Sequence, residues 1–404
     1  MKLKKFASLV AGAMLLTTSM AACSGDKETT TATTTTVATT TSETTAEASQ
    51  ESETTAATTD ESLKADSANP LIDPNNNMAL DPLTGIQDMD PANVGKRSIA
   101  TTISNLKEAT PSKGTIFADV IYEYKVEDVT RLLCVFPDVT KIPVIGSFRS
   151  ARVVAADLAS GSDSIFVHWG ADPTKFPGYF KDYNIDHIDM NAYDAGWQAD
   201  IDGKITLNGN KFSWRCLHWK KEDGRAMLNC AVTNGEQIQR AVSTLGIRTE
   251  TDQKMLFNFV PDGKAAMTGA TDCKDLTVYF STLNPDAHFV FNDKDKCYYK
   301  SEYGDTPQMD QSANEQLHFK NVFVIFADVQ NRNDGAGHLD FYFDRGGEGY
   351  YVSNGKMIKI KWEKPNPMDQ IKVMDENGKE IEVNAGKSYV CVVDQDLKEK
   401  TTWS

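Results

Sequence analysis

The sequence lacks the short motifs that mark the common hydrolases, kinases and metalloenzymes. It has no GxSxG, no HExxH, no GxxxxGK[ST] and no complete EF-hand loop. Only six of the 404 residues are histidine, and no Cys and His residues have the spacing of zinc ligands. We therefore expect no cofactor and no metal. These absences favour a non-enzymatic function, although they leave an enzyme open.

Long apolar runs are also absent, because no stretch approaches the roughly 20 apolar residues that a membrane-spanning helix needs. The chain begins with a basic head at residues 1–5, followed by a short apolar run at residues 6–16 and by Ala21-Ala22-Cys23. This order is typical of a lipoprotein signal peptide over residues 1–22. It predicts that Cys23 carries a lipid, which would hold the exported chain at the extracytoplasmic face of the cell membrane.

Residues 23–69 lack aromatic side chains and consist almost entirely of Thr, Ala, Ser and Glu. Such a segment buries too little apolar surface to offset the entropy of ordering, so we expect a disordered tether. The whole chain has a net charge of −15, which argues against nucleic acid as a partner. The expected partners are the membrane, reached through the lipid, and either a cell-wall ligand or a cell-wall protein.

Seven cysteines are present, and no two of them form a CxxC motif. With Cys23 assigned to the lipid, the other six could form disulfides in 15 different connectivities or remain free thiols. Cys134 and Cys391 lie within apolar runs that are typical of buried strands. The sequence does not decide between these alternatives.

The folded part is predicted to be α+β, with a mixed α/β domain over residues 70–250 and a mostly antiparallel β domain over residues 251–404. In the first domain we expect a helix over residues 150–160 and another that Thr233 caps and Gly246 ends. The second domain has short β-branched and aromatic segments, and Asn354-Gly355 and Asn377-Gly378 favour type I′ turns between them. The strands predicted for the first domain cover residues 97–103, 119–124, 131–136 and 164–168.

Two arginines, Arg149 and Arg152, lie at the predicted start of the first helix. Helix N-termini carry partial positive charge, so two arginines there are unfavourable unless an anion joins them. Either Glu123 or Asp157 supplies that anion and the cluster is structural, or a bound carboxylate or phosphate supplies it. Arginine suits both ligands because its guanidinium donates two parallel hydrogen bonds.

Glu123, Arg131 and His168 are further candidates for this site. A hairpin centred near Glu127 would set Glu123 opposite Arg131, and a cross-strand ion pair would then explain both residues without any function. His168 ends an apolar strand just before a glycine-containing loop, which is where α/β folds place site residues. A single histidine can equally be structural.

Together these segments resemble the successive motifs of the YerB-like bacterial lipoproteins, a two-domain family described as a domain of unknown function. The resemblance rests on residues 120–123, 130–133, 149–152 and 167–170, and in the second half on residues 321–324, 349–351, 354–356, 361–362 and 375–380. It implies a lipid-anchored bacterial surface protein, and it assigns no catalysed reaction to this chain.

Two positions depart from the pattern that the resemblance implies. Leu228-Asn229 stands where a His-Asn pair is expected, and Gln308 stands where a histidine is expected before Asp310. If those histidines performed acid–base chemistry in relatives, this chain would lack it.

The preferred hypothesis is a non-enzymatic binder of an anionic or carbohydrate ligand of the cell envelope. Its candidate ligand-binding residues are Arg149, Arg152, Glu123, Arg131, His168 and Asn229. The alternatives are a cell-wall-modifying enzyme that uses Glu123 or His168 as general acid or base, and a scaffold for another cell-wall protein.

Overall fold

The central feature of the molecule is one large mixed sheet with both faces buried. The structure is a computed structural model that describes residues 77–252, 254–283 and 286–404. The predicted signal peptide, Cys23 and the predicted tether lie outside these residues. In spatial order, the strands of the large sheet are Thr271–Asp272, Lys356–Glu363, Gly347–Ser353, Asn321–Ala327, Ser388–Asp394, Val120–Val126, Val129–Phe136, Ile99–Ser104, Ile165–His168 and His187–Asp189, and Lys372–Met374 pairs beside Lys356–Glu363.

The middle strands of this sheet are near-continuous apolar runs, as expected where both faces are covered. Side chains alternate between two core layers. One layer holds Ile121, Leu132 and Cys134, and the other holds Tyr122 and Leu133. All four predicted strands of the first half are present, with bounds shifted by one or two residues.

The two halves of the sequence meet in this sheet. The C-terminal strand Ser388–Asp394 pairs in parallel with Val120–Val126 on one side and with Asn321–Ala327 on the other. All described residues belong to one compact unit. The side chains on one half of the sequence are therefore positioned directly by strands of the other half.

Smaller sheets and hairpins surround the large sheet. A four-stranded sheet consists of Ile145–Gly146, Ala231–Thr233, Ser213–Cys216 and Asp194–Gln198. A six-stranded sheet consists of Thr306–Pro307, Cys297–Glu302, Asp286–Asn292, Asp275–Tyr279 and Thr402–Trp403, with His318–Phe319 alongside. The two-stranded pairs are Ala79–Leu80 with Gln87–Met89, Phe259–Val260 with Val383–Asn384, Met309–Asp310 with Glu315–Gln316, and Val329–Asn331 with Leu339–Phe341.

Helices are few, so the α+β class holds with strand as the larger component. The α-helices are α1 (Val153–Gly161), α2 (Phe176–Tyr183), α3 (Leu217–Lys221) and α4 (Gly235–Leu245). Among the described residues, no helix is long and apolar enough to cross a membrane. The 3-10 helices are Pro91–Asn93, Lys107–Ala109, Thr115–Phe117, Val139–Lys141, Met190–Tyr193, Met227–Asn229, Phe343–Arg345 and Gln395–Lys400.

Helix α1 begins three residues later than predicted. The amide of Arg149 donates to the carbonyl of Thr102 at 3.1 Å, and that of Ala151 donates to Gly170 at 2.9 Å. These bonds hold residues 149–151 extended, so the helix starts only at Val153. The two predicted arginines therefore flank a short extended segment, and Arg152 is the N-cap residue.

The predicted cap of α4 was wrong by one residue. Asn234 is the N-cap, and its side chain accepts a hydrogen bond from the amide of Gln237 at 2.9 Å. Thr233 instead ends a strand and donates its hydroxyl to the carbonyl of Phe212 at 2.5 Å. The predicted end of the helix at Gly246, with φ of +66°, is confirmed.

The two Asn-Gly turns differ. Asn354 and Gly355 have φ of +51° and +74°, as a type I′ turn requires. At Asn377-Gly378 only the glycine has positive φ, so a type I′ turn was the wrong prediction there. The carboxylate of Asp375 accepts from the amides of Asn377 and Lys379, both at 2.9 Å, and these bonds stabilise a different turn.

Candidate functional site

Three arginines and one carboxylate come together where the hairpin of residues 120–136 meets the start of α1. We call the side chains of Tyr124, Glu127, Arg131, Arg149 and Arg152 the arginine site. Tyr124 and Arg131 face each other across the hairpin, and Glu127 lies in its turn. The two remaining arginines come from the extended segment before α1.

The hairpin register differs from the sequence prediction by one residue. The turn is formed by Glu127 and Asp128, with Glu127 at φ of +48°, so Arg131 pairs with Tyr124 and not with Glu123. A shift of one residue moves a side chain to the other face of a sheet. Glu123 therefore lies on the opposite face from Arg131, and the predicted cross-strand ion pair does not form.

Glu127 is the carboxylate that contacts the arginines. Arg152 donates to Oε1 of Glu127 from Nε at 3.0 Å and from Nη2 at 2.6 Å. Arg131 Nη2 lies 3.8 Å from the other oxygen of Glu127, while its Nη1 donates to the carbonyl of Ser150. Glu123 or Asp157 was predicted as the neutralising group of a structural cluster, but the turn residue Glu127 occupies that position.

The arginine site holds three guanidinium groups and only one carboxylate, that of Glu127, so its positive charge exceeds its negative charge. Burial and the neighbouring Arg152 lower the pKa of Arg131 to about 9. Burial and Arg152 also lower the pKa of Arg149, which Glu127 offsets in part. A depressed arginine pKa means that the charged form is destabilised in the folded protein, and a bound anion would relieve that cost.

Two buried polar atoms at the arginine site have no hydrogen-bond partner within the described part of the chain. They are Nε of Arg131 and the hydroxyl of Tyr124. Both side chains are buried, with 6% and 0% of their surface exposed. The N-terminus of α1 has no side-chain cap, since its N-cap residue Arg152 turns its side chain to Glu127. Buried polar groups are normally hydrogen-bonded, so these two atoms are exceptions within the described part of the chain.

The hairpin of residues 329–341 brings side chains from the second half of the sequence beside the arginine site. Nε2 of His338 lies 3.9 Å from Glu127, and its Nδ1 contacts Asp334 at 2.6 Å. Arg332 donates to Asp172 at 2.6 Å and anchors this hairpin to the first half. No motif in the sequence marked His338, because the contact joins positions far apart in the chain.

An exposed apolar pair lies on the other side of the arginine site. Arg149 Nη1 donates to the carbonyl of Leu228 at 3.3 Å, and Arg215 Nη1 donates to that of Met227 at 3.2 Å. The side chains of Met227 and Leu228 remain 49% and 62% exposed. The next residue, Asn229, is buried, and within the described chain its Oδ1 has no hydrogen-bond partner.

Glu123 belongs to a separate buried network. Its Oε1 accepts from Asn105 at 2.8 Å and from Thr130 at 2.7 Å, and its Oε2 accepts from the hydroxyl of Tyr389 at 2.6 Å. The ammonium group of Lys300 lies 3.6 Å from Glu123. All of these partners of the Glu123 carboxylate are side chains of the protein itself, as expected for a structural ion pair.

Lys300 joins two carboxylates from distant parts of the chain. It is fully buried, 3.6 Å from Glu123 and 3.3 Å from Glu302. Burial raises the pKa of Glu302, and the ammonium opposes that effect. Gln308, at the position where the family resemblance implied a histidine, donates to Asn105 at 2.7 Å. Gln308 therefore extends the buried network and lies outside the arginine site.

His168 lies on the same sheet face as Arg131, but both of its ring nitrogens are occupied. Nδ1 contacts the carbonyl of Gly170 at 2.8 Å, and Nε2 contacts Nδ1 of His187 at 2.9 Å. Burial lowers the pKa of His168 to about 4. The ring stacks on Phe180, with centroids 5.9 Å apart. These contacts keep the imidazole neutral and fixed near neutral pH.

The other places considered as functional sites are weaker candidates than the arginine site. In the described residues, no group of three His, Cys, Asp or Glu residues could hold a metal ion. A cleft of about 390 Å³ lies away from the arginine site, between Asp262, Lys296 and Asn354. The carboxylate of Asp262 is already paired with Lys320 at 2.7 Å and with Asn354 at 3.1 Å. The charges of this cleft are satisfied internally, unlike those of the arginine site.

Comparison with known proteins gives consistent results for sequence and fold. A Bacillus subtilis (strain 168) protein named "Putative lipoprotein YerB" is 25% identical over 315 residues, which cover 77% of this chain and 85% of that protein. The crystal structure of YerB protein from Bacillus subtilis has the same fold, with a TM-score of 0.65 and 22% identity. The match covers 80% of this chain and 99% of the crystallised chain.

Residues 83–248 match the N-terminal domain of a family described as protein of unknown function DUF3048, and residues 276–390 match its C-terminal domain. The family resemblance in the sequence motifs is thereby confirmed. The chain belongs to the DUF3048 family and carries both of its domains.

Proposed function

We propose that this protein binds the anionic group of a cell-envelope ligand at the arginine site. One observation carries the proposal: buried Nε of Arg131 and the buried hydroxyl of Tyr124 have no partner in the described chain, beside three arginines that share one carboxylate. A phosphate or carboxylate would accept from both groups and balance the excess charge.

The apolar pair beside the site suggests the shape of the ligand. Leu228 and Met227 expose their side chains next to Arg149, and Trp197, also exposed, lies on the strand beside Arg215. Aromatic and aliphatic surface of this kind suits the apolar face of a sugar or an acyl chain. We therefore favour a ligand that combines an anionic group with a carbohydrate or apolar part.

The contacts of the other candidates favour binding over catalysis. A general acid or base must reach the proton that it transfers. Glu123 is enclosed by internal donors, and His168 uses both ring nitrogens within the protein. We assign both residues to structural positions and keep Arg131, Arg149 and Arg152 as the ligand-binding residues.

We also propose that the chain is a lipid-anchored protein of the extracytoplasmic membrane face, modified at Cys23. The motif at residues 1–23 and the lipoprotein name of the Bacillus subtilis relative support this. Residues 70–250 and 251–404 would form an α/β part and a β-rich part that share the large sheet. Replacing Cys23 with Ser should release the protein from the membrane fraction. Retention of a lipid-linked form would contradict this proposal.

Isothermal titration with inorganic phosphate, and pull-down with isolated wall fragments, test the binding proposal. The variant Arg149→Ala with Arg152→Ala should lose phosphate binding and wall-fragment binding. The matched control is Arg240→Ala with Arg345→Ala, which removes the same charge from outside the site and should bind as the unaltered protein does. Equal loss in both variants, or no loss in either, would contradict a specific site.

A further inference from the structure

We infer that Cys216 and Cys230 form a disulfide when the protein is oxidised. The bond closes the loop of residues 217–229 at its base. Both are free thiols in the structure, as are the other cysteines that it describes. The inference is independent of the proposed anion binding, because it rests on a different pair of residues and on a different measurement.

The main chains of the two cysteines are adjacent. Cys216 follows Arg215 on a strand whose antiparallel partner pairs Arg215 with Ala231. The amide of Cys216 donates to the carbonyl of Cys230 at 2.8 Å and continues this ladder by one residue. Opposite residues on antiparallel strands have Cα atoms about 4.5 to 5.5 Å apart. Disulfides join Cα atoms about 4.4 to 6.8 Å apart, a range that includes the spacing expected for residues placed opposite each other in this way.

The two side chains also share one face. Cys216 and Cys230 lie in the same small hydrophobic cluster, together with Trp214 and Val232, the preceding pair of that face. Burial raises the pKa of each thiol, and the neighbouring Cys216 raises that of Cys230 further, as expected for sulfur atoms in proximity. None of the other described cysteines is placed opposite a second cysteine in a strand pairing.

The disulfide would restrict the loop of residues 217–229, which has little regular structure of its own. Residues 217–229 include only the short helix α3 and one 3-10 turn, and residues 220–224 and 226–228 are exposed. The loop carries the carbonyl of Leu228, which contacts Arg149 at 3.3 Å. A disulfide at its base would restrict the loop in the unfolded chain and hold its native ends together.

The chemistry requires a disulfide oxidant, such as glutathione disulfide. The thiolate of one cysteine attacks a sulfur of the oxidant, forms a mixed disulfide and releases one glutathione thiolate. The second cysteine then attacks the mixed disulfide and releases the second glutathione. Two electrons pass from the cysteine pair to the oxidant, and the two thiol protons go to the released glutathione. Because both thiols are buried, the reaction proceeds through local opening of the exposed loop.

Mass spectrometry of the full chain after treatment with glutathione disulfide tests this inference. After denaturing alkylation and digestion, we expect a peptide pair joined through Cys216 and Cys230 and lighter by two hydrogens, with Cys134 and Cys391 alkylated. The control Cys297→Ser, at a partly exposed thiol elsewhere, should keep the linked pair, and Cys216→Ser should abolish it. Alkylation of both cysteines, or a glutathione adduct on either without the linkage, would overturn the inference.

A second measurement needs no variant and so does not depend on the folding of a substituted protein. Oxidation should raise the midpoint of thermal unfolding and slow amide hydrogen exchange in residues 217–229, and a reducing agent should reverse both changes. Identical exchange in the oxidised and reduced forms would overturn the inference, whatever the outcome of phosphate binding.

Discussion

Arg152 donates two hydrogen bonds to a single oxygen of Glu127, from Nε at 3.0 Å and from Nη2 at 2.6 Å. The other oxygen of Glu127 lies 3.8 Å from Nη2 of Arg131, so one carboxylate faces more than one guanidinium. Arg131 and Arg149 are left with depressed pKa values in a largely buried setting. This imbalance of charge is the basis of the proposed anion binding.

Removing the carboxylate should make the protein depend more strongly on an added anion. We expect Glu127→Gln to lower the unfolding free energy by roughly 1 to 3 kcal/mol in chloride buffer, because the three arginines lose their counter-charge. Phosphate at constant ionic strength should restore more stability to this variant than to the unaltered protein. Thermal unfolding in matched chloride and phosphate buffers measures the difference, and an equal phosphate response would count against the site.

Tyr124→Phe should separate stability from binding. The hydroxyl has no partner in the described chain, so its loss should change the unfolding free energy by less than about 1 kcal/mol. Phosphate affinity should fall roughly 3- to 10-fold, as for the loss of one hydrogen bond. The control is Tyr122→Phe, two residues earlier on the same strand, which should bind normally. Unchanged affinity in Tyr124→Phe would show that the hydroxyl does not contact the anion.

His168 should make the protein sensitive to acid. Its pKa in the folded state is about 4, below the ordinary value of 6.5, so the unfolded chain binds more protons between these pH values. Stability should therefore fall as the pH drops from 6.5 to about 4, by about 3 kcal/mol from this group. His168→Phe, which suits the neighbouring Phe180, should flatten this slope in urea unfolding, while His187, whose pKa burial also lowers, keeps its own contribution. An unchanged slope would contradict the assignment.

Lys300 should contribute strongly to stability, because it joins carboxylates from the first and second halves of the sequence. We expect Lys300→Met to lower the unfolding free energy by roughly 3 to 5 kcal/mol, because Glu123 and Glu302 remain buried without their cation. Adding Glu302→Gln should recover part of that loss, since one of the two carboxylates is then neutral. The exposed residue Lys294 provides the control, and Lys294→Met should be within about 0.5 kcal/mol of the unaltered protein.

Much of the strand content was predictable from the sequence, whereas the register was not. The run around Val120–Val126 and its partner is apolar enough to identify two strands, and the structure places both within two residues of prediction. Their pairing depends on whether the turn centres on Glu127 or on the Glu127-Asp128 pair. Hydrophobic alternation does not distinguish these cases when both faces of the sheet are buried.

The composition of the site was likewise predictable only in part. The local motif at Arg149 and Arg152 indicated an excess of positive charge, because both residues are close in sequence. Glu127 was identified only as a turn, and Tyr124 only as a strand residue. The contacts of Lys300 with Glu123 and of His338 with Glu127 join distant positions, so no local pattern encodes them.

The most direct test of the anion site is anomalous diffraction from crystals of this protein soaked with selenate, a tetrahedral anion with a heavy central atom. We expect an anomalous selenium peak at the arginine site. It should come from a selenate ion whose oxygens lie within hydrogen-bond distance of Nε of Arg131 and the hydroxyl of Tyr124. The peak should be absent from crystals of Arg149→Ala with Arg152→Ala. Selenium peaks confined to other arginines, such as Arg240 and Arg345, with none at the arginine site, would contradict the account.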